Sequence, residues 1–164
     1  KAVQPLLTWL KNNPDDYSTR LYLAGIYQSN KKNDMAIKEY EKILKKIPDN
    51  STVLNNLAWL YFLDDNSKAM DMAESAYRFS PQNPGIQDTY GWILIHKDQL
   101  EKGQRLIKQA MDTIPESLDI QYHYASSLLK SGNHAEGRQI LEQLINQNKP
   151  FSGREQAKQL LKNL

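Results

Sequence analysis

The chain of 164 residues has no cysteine. Disulfides, thiolate metal ligands and a cysteine nucleophile are excluded, while periplasm and cytoplasm both stay open as compartments. Neither sign of charge dominates: 21 lysines and arginines stand against 19 aspartates and glutamates, a formal net charge of +2. So balanced a charge does not point to nucleic acid or an anionic membrane as the main partner. No apolar run approaches the roughly 18 residues of a membrane span, and no signal peptide is visible. β-branched residues are few, and Asn, Gln, Lys and Leu are many, a bias toward helix. The chain also lacks a nucleophile motif, a glycine-rich phosphate loop and an inward-facing carboxylate pair.

Proline is scarce, with seven residues, yet five of them are periodic: Pro14, Pro48, Pro81, Pro115 and Pro150, with gaps of 34, 33, 34 and 35 residues. A period of about 34 marks stacked helical hairpins, in which each unit buries its apolar face against the next. Residues 17–50 carry Leu23, Ala24, Tyr27, Ala36, Tyr40, Ile43 and Pro48. Residues 51–83 repeat this with Leu57, Ala58, Tyr61, Ala69, Ala73, Ala76 and Pro81, one residue having been lost in the Asp64–Ser67 turn, where loss is cheap. Residues 84–117 carry Tyr90, Gly91, Leu94, Gly103, Ile107, Ala110 and Pro115, and residues 118–150 carry Tyr124, Ala125, Leu128, Gly137, Leu141 and Leu144. Ala24, Ala58, Gly91 and Ala125 fall where the two helices of a hairpin approach, and Ala36, Ala69, Gly103 and Gly137 face them. Glycine inside a helix costs roughly 1 kcal/mol against alanine. Gly103 and Gly137 therefore indicate either tight backbone contact or a tolerated glycine. Each proline stops a second helix, because the residue before it is pushed out of the α region.

The ends differ from the middle. Residues 1–14 read as a second helix without its first-helix partner, since Ala2, Leu6, Trp9 and Pro14 fall on the matching repeat places. Pro5 lies in that helix's first turn, where it is tolerated. Ser152 and Glu155 predict a capping box ahead of the apolar stripe Ala157, Leu160, Leu161 and Leu164, so residues 152–164 predict a solvating cap helix. The whole reads as the C-terminal piece of a longer array.

This pattern of large and small residues with a closing proline resembles the tetratricopeptide repeat. The resemblance implies an all-α, right-handed superhelix of antiparallel hairpins, an α-solenoid. It would form a single domain over 1–164: a half-repeat at 1–14, repeats at 17–50, 51–83, 84–117 and 118–150, and a cap helix at 152–164. First helices of that family line a concave groove. The matching places are Ser18, Leu21, Gly25, Gln28 and Ser29; Thr52, Asn55, Trp59, Phe62 and Leu63; Gly85, Asp88, Trp92, Ile95 and His96; and Asp119, Tyr122, Ser126, Leu129 and Lys130. The residues expected to touch a partner are Asn55, Trp59, Phe62, Asp88, Trp92, Ile95, Tyr122, Ser126 and Lys130.

Trp59 and Trp92 share one repeat place, a helical turn after Asn55 and Asp88. One reading is an aromatic floor with Asn55 and Asp88 as hydrogen-bonding anchors. The other has both tryptophans packed between first helices and Asn55 solvated. Lys130 is the sole firm cation among the groove places, opposed by Asp88 and Asp119. This departs from family members that hold acidic chaperone tails. His96, His123 and His134 lack metal-ligand spacing and read as solvated or partly packed. Asp15–Asp16 and Asp64–Asp65 read as helix-start and turn residues. Lys31–Lys32 and Lys45–Lys46 read as solvated faces, with a basic patch as the alternative.

A narrower likeness rests on residues 54–61, 73–81, 88–94 and 149–157, which resemble the C-terminal repeats of bacterial tetratricopeptide lipoproteins of exopolysaccharide and exosortase systems. Taken together, these resemblances imply a non-catalytic scaffold without a cofactor, binding a protein or peptide segment in the groove. They place it in the bacterial cell envelope or periplasm, with the cytoplasm as the alternative. Self-association through Leu6, Leu7, Trp9 and Leu10 is the second expectation.

Overall fold

The structure, a computed structural model, describes residues 3–164; Ala2, expected to open the apolar stripe of the half-repeat, lies outside them. Ten α-helices are found among the described residues: α1 (Val3–Asn12), α2 (Tyr17–Ser29), α3 (Asn33–Leu44), α4 (Ser51–Leu63), α5 (Lys68–Phe79), α6 (Pro84–Ile95), α7 (Leu100–Thr113), α8 (Leu118–Lys130), α9 (His134–Asn146) and α10 (Arg154–Lys162). The chain falls into two compact units, one up to Ser80 and one from Pro81 to Leu164. The first holds α1 to α5 and the second α6 to α10.

Short-range chemistry sets the helix starts. Two residues after each of the first three closing prolines stands an N-cap whose side chain accepts a backbone N–H three residues on: Asp16 from Thr19, Asn50 from Val53 and Asn83 from Ile86. Such a cap is worth about 1 kcal/mol. Ser117 holds the same place before α8 without a side-chain cap bond. A second device recurs six residues after the proline. Arg20 Nη2 donates to the Pro14 carbonyl and Gln87 Nε2 to the Pro81 carbonyl, each at 2.8 Å, and Gln121 Nε2 donates to the Pro115 carbonyl. The helix after each of these bends thus satisfies a carbonyl of the bend itself.

The turns inside the hairpins share a single solution. Lys31, Asp65, Asp98 and Gly132 all have positive φ, at 57°, 50°, 61° and 86°. The next residue donates its backbone N–H to a carbonyl five residues back: Lys32 to Tyr27, Asn66 to Tyr61, Gln99 to Leu94 and Asn133 to Leu128, at 2.8–2.9 Å. This is the left-handed helix terminus that closes orphan carbonyls.

Packing follows the repeat pattern within each unit. Leu23, Ala24, Tyr27, Ala36, Tyr40, Ile43, Leu57, Ala58, Ala69, Ala73 and Ala76 are buried in the first unit. In the second, Ile95, Ile107, Ala110, Ile120, Tyr124 and Leu128 form one cluster, and Tyr122, Ala125, Leu141, Leu144 and Ala157 another. The α6–α7 crossing is tight. A Cβ on Gly103 would lie 2.5 Å from the Gly91 carbonyl oxygen, and one on Gly91 would lie 2.7 Å from the Gly103 carbonyl oxygen. The two glycines allow the backbones to touch, so the tight-contact reading of Gly103 is the right one. In the α2–α3 hairpin an ion pair is buried instead, with Arg20 Nη1 2.6 Å from Glu39 Oε2.

The capping box expected at Ser152 and Glu155 does not form. Gly153 is the N-cap of α10 and no side chain caps it. The Ser152 backbone N–H donates to Asp119 Oδ1 at 2.7 Å, and Glu155 accepts from Lys158 Nζ at 2.7 Å. Tertiary packing decides this entry: a Cβ on Gly153 would sit 2.2 Å from the Tyr122 ring, so the backbone lies directly against that ring.

Candidate interaction surface

In the first unit a cleft of 460 Å³ opens between α2 and α4, with Tyr40 of α3 at its base. Leu21, Gly25 and Ser29 of α2 and Thr52 of α4, all expected groove-facing places, line it together with Tyr22, Ile26 and Asn56. Their spacing explains this: residues four apart on a helix stack on one face. A Cβ on Gly25 would meet nothing within 4 Å, so the glycine leaves a depression in the helix surface. Tyr22 beside it is 64% exposed. Tyr40 donates its hydroxyl to Gln28 Oε1 at 2.9 Å and accepts from Asn56 Nδ2 at 3.1 Å. Burial pushes that phenol above its ordinary pKa, with the Asn56 bond acting the other way, so the cleft carries no charge near neutral pH.

Asn55, Trp59 and Phe62 are half-buried on α4. The Trp59 and Phe62 rings lie 5.8 Å apart, and the Asn55 amide oxygen is buried without a hydrogen-bond partner.

In the second unit the expected surface residues are largely interior. Asp88, Ile95, Tyr122 and Ser126 are all buried. Asp88 is engaged: His123 Nδ1 lies 2.9 Å from both of its carboxylate oxygens. Trp92 stacks on the His123 ring at 4.1 Å, with His96 at 4.6 Å and Tyr122 at 5.9 Å from it. Phe151 then approaches Tyr122 at 6.0 Å. The first helices α6 and α8 press against one another here, and the turn before α10 covers Tyr122. Asp88, Ile95, Tyr122 and Ser126 are thereby interior, while Trp92 is half-buried among His96, Tyr122 and His123. Of the residues expected to touch a partner here, Lys130 alone is exposed; the groove places Gly85 and His96 are exposed as well. The reading of His123 as solvated or partly packed is also corrected, since it is buried and bonded to Asp88. A sequence signal existed: Asp88 and His123 occupy the fifth and sixth places of successive repeats, which adjacent first helices bring together.

Burial holds the His96 imidazole below its ordinary pKa, helped by the Lys130 ammonium and His123 and opposed by the Trp92 carbonyl. Among the described residues no group of three or more His, Asp or Glu side chains is placed to hold a metal ion. Among them, too, no helix is long and apolar enough to cross a membrane.

These features define an all-α solenoid of antiparallel helix hairpins. The sequence profile described as tetratricopeptide repeat matches residues 94–164. A TPR repeat-containing protein of Pseudomonas aeruginosa is 30% identical over 122 residues, which are 71% of this chain and 20% of that protein. The chain thus spans one fifth of the length of the curated relative it matches. Among solved structures, a thermophilic TPR protein of Thermus thermophilus gives a TM-score of 0.74 at 17% identity, over 98% of this chain and 89% of that one. YrrB, described as a TPR protein with an unusual peptide-binding site, gives 0.70 at 17% identity, over 89% and 76%. Identities this low establish the fold alone. The matched profile assigns the tetratricopeptide pattern to residues 94–164, and the structural neighbours share its helix-hairpin fold.

Proposed function

We propose that this chain is a non-catalytic scaffold that holds a protein segment against the first helices of its repeats, with the α2–α4 face of the first unit as the main seat. The uncharged depression over Gly25, within a 460 Å³ cleft lined by groove-facing places, carries this reading. The half-buried Asn55 and the Trp59–Phe62 pair extend the same helix. An apolar side chain of the partner would fill the depression, while Ser29, Thr52 and Asn56 meet its backbone. Gly25→Leu is the test. Its Cβ meets nothing within 4 Å and leucine is the better helix former, so helicity by circular dichroism is expected to be kept. A partner co-purifying with the unaltered protein and lost from Gly25→Leu supports the proposal; equal retention by both overturns it.

Self-association is the second reading, favoured by Trp9, which is 52% exposed on α1; Leu7 is exposed on another face of that helix, and Leu10, expected on the same surface, is buried. Sedimentation over a range of concentrations decides it: a dimer abolished by Trp9→Gln supports the reading, and a monomer throughout removes it. The setting we propose is a bacterial cell envelope, within an exopolysaccharide assembly system. The likeness of residues 54–61, 73–81, 88–94 and 149–157 to such lipoprotein repeats supports it, and fractionation of the native protein tests it.

A further inference from the structure

We propose that the outer face of α3 is a separate docking surface for a peptide segment with two apolar residues between two carboxylates. A cleft of 420 Å³ lies between α1 and α3, on a different set of residues from the depression over Gly25. Its apolar lining includes Leu7 of α1 and Met35 of α3, 38% and 43% exposed, with Tyr27 behind them. Lys38 and Lys42 of α3 and Lys45 at its C-cap, still in the helical conformation, also line it, spaced four and three residues apart and so on one face.

The two carboxylates in the lining are already engaged. Glu39 is held by Arg20 at 2.6 Å and by Lys42 at 2.7 Å. Glu41 accepts the Tyr61 hydroxyl at 2.8 Å. With Arg20 directly behind Glu39, four cations face two anions around the cleft, and Lys38 and Lys45 are the exposed surplus.

An apolar floor with a cationic edge calls for an occupant that is apolar in the middle and acidic at the flanks. Lys38 and Lys45 are seven residues apart, about 10 Å along the helix. In the polyproline II conformation, with three residues per turn and about 3.1 Å rise per residue, two carboxylates three residues apart stand on one face about 9 Å apart. The matching segment is therefore acidic–apolar–apolar–acidic. A lipid surface fits less well, because a planar bilayer does not enter a cleft whose apolar lining sits between two helices.

The probe is a fluorescein-labelled acetyl-Asp-Leu-Phe-Asp-amide, titrated by polarisation against the full chain. Its partners are the same peptide with both aspartates replaced by asparagine, and one with leucine and phenylalanine replaced by serine. Saturable binding of the acidic peptide is expected, at least about tenfold tighter than either control. It should weaken as salt rises from about 0.05 to about 0.5 M, as screening of exposed charges requires. Lys38→Glu/Lys45→Glu is expected to abolish binding, and Leu7→Ser/Met35→Gln to weaken it at least about tenfold. All four positions are exposed, and circular dichroism verifies that both variants keep their helices. Absence of saturable binding overturns the proposal. So does equal binding of the asparagine peptide, indifference to the lysine reversals, or adsorption to phosphatidylglycerol vesicles without binding of the peptide.

Discussion

Gly25 and Gly103 are both helical glycines, yet alanine acts oppositely at the two. At Gly25 a methyl group meets open space, so Gly25→Ala gains the helix propensity of about 0.5–1 kcal/mol. At Gly103 it meets the Gly91 carbonyl at 2.5 Å and Ile95 at 2.6 Å. Overpacking of that kind costs about 1–3 kcal/mol, so Gly103→Ala lowers stability despite the better helix former. Chemical denaturation of the two variants should move the midpoint in opposite directions. His96 offers a second residue-scale outcome. Its folded-state pKa lies below the ordinary value of 6.5, so the unfolded chain binds a proton more readily. Stability is full above pH 6.5, falls as pH drops below it, and stops falling once the folded ring also protonates. His96→Gln should flatten that part of the stability–pH curve.

At the scale of the element, the four hairpin turns meet one geometric demand with unequal residues. Lys31, Asp65 and Asp98 adopt the left-handed region that Gly132 adopts without steric cost. An L-residue there costs roughly 1–2 kcal/mol, somewhat less for aspartate, whose short polar side chain visits it more readily. Lys31 has no such relief, and Lys31→Gly is expected to raise the thermal midpoint of the chain, whereas Gly132→Lys lowers it. The starts of the first helices were partly legible as local chemistry: the acidic pair Asp15–Asp16 reads as a helix start, and Asp16 is the N-cap. The left-handed turns were less so, since Lys31 in a polar turn carries no propensity signal for positive φ.

At the scale of the whole molecule, the two compact units each carry their own interior, and α10 completes the second. Ala157 is fully buried against the cluster of Tyr122, Leu141 and Leu144, with Phe151, Leu160 and Leu161 packed on it. Ending the chain at residue 150 removes these partners. The expected result is loss of amide-exchange protection in α8 and α9 beyond the nine residues of α10 itself. Unchanged protection there would show that α10 merely rests on the surface.

The sequence by itself determined the hairpin architecture, because a repeated spacing of small residues, large residues and prolines leaves few other ways to bury every apolar face. It also marked Gly103, whose propensity cost has a packing return. It did not determine which groove places stay open. Asp88, Ile95, Tyr122 and Ser126 share repeat places with exposed or half-buried residues elsewhere, and their burial depends on how closely α6, α8 and the turn before α10 approach. The Asp88–His123 bond spans 35 residues, and the failed Ser152 cap yields to a contact with Asp119 that spans 33. Local propensity governs each helix; distances between helices depend on side-chain volumes summed across them, and those volumes decide which polar groups are buried together.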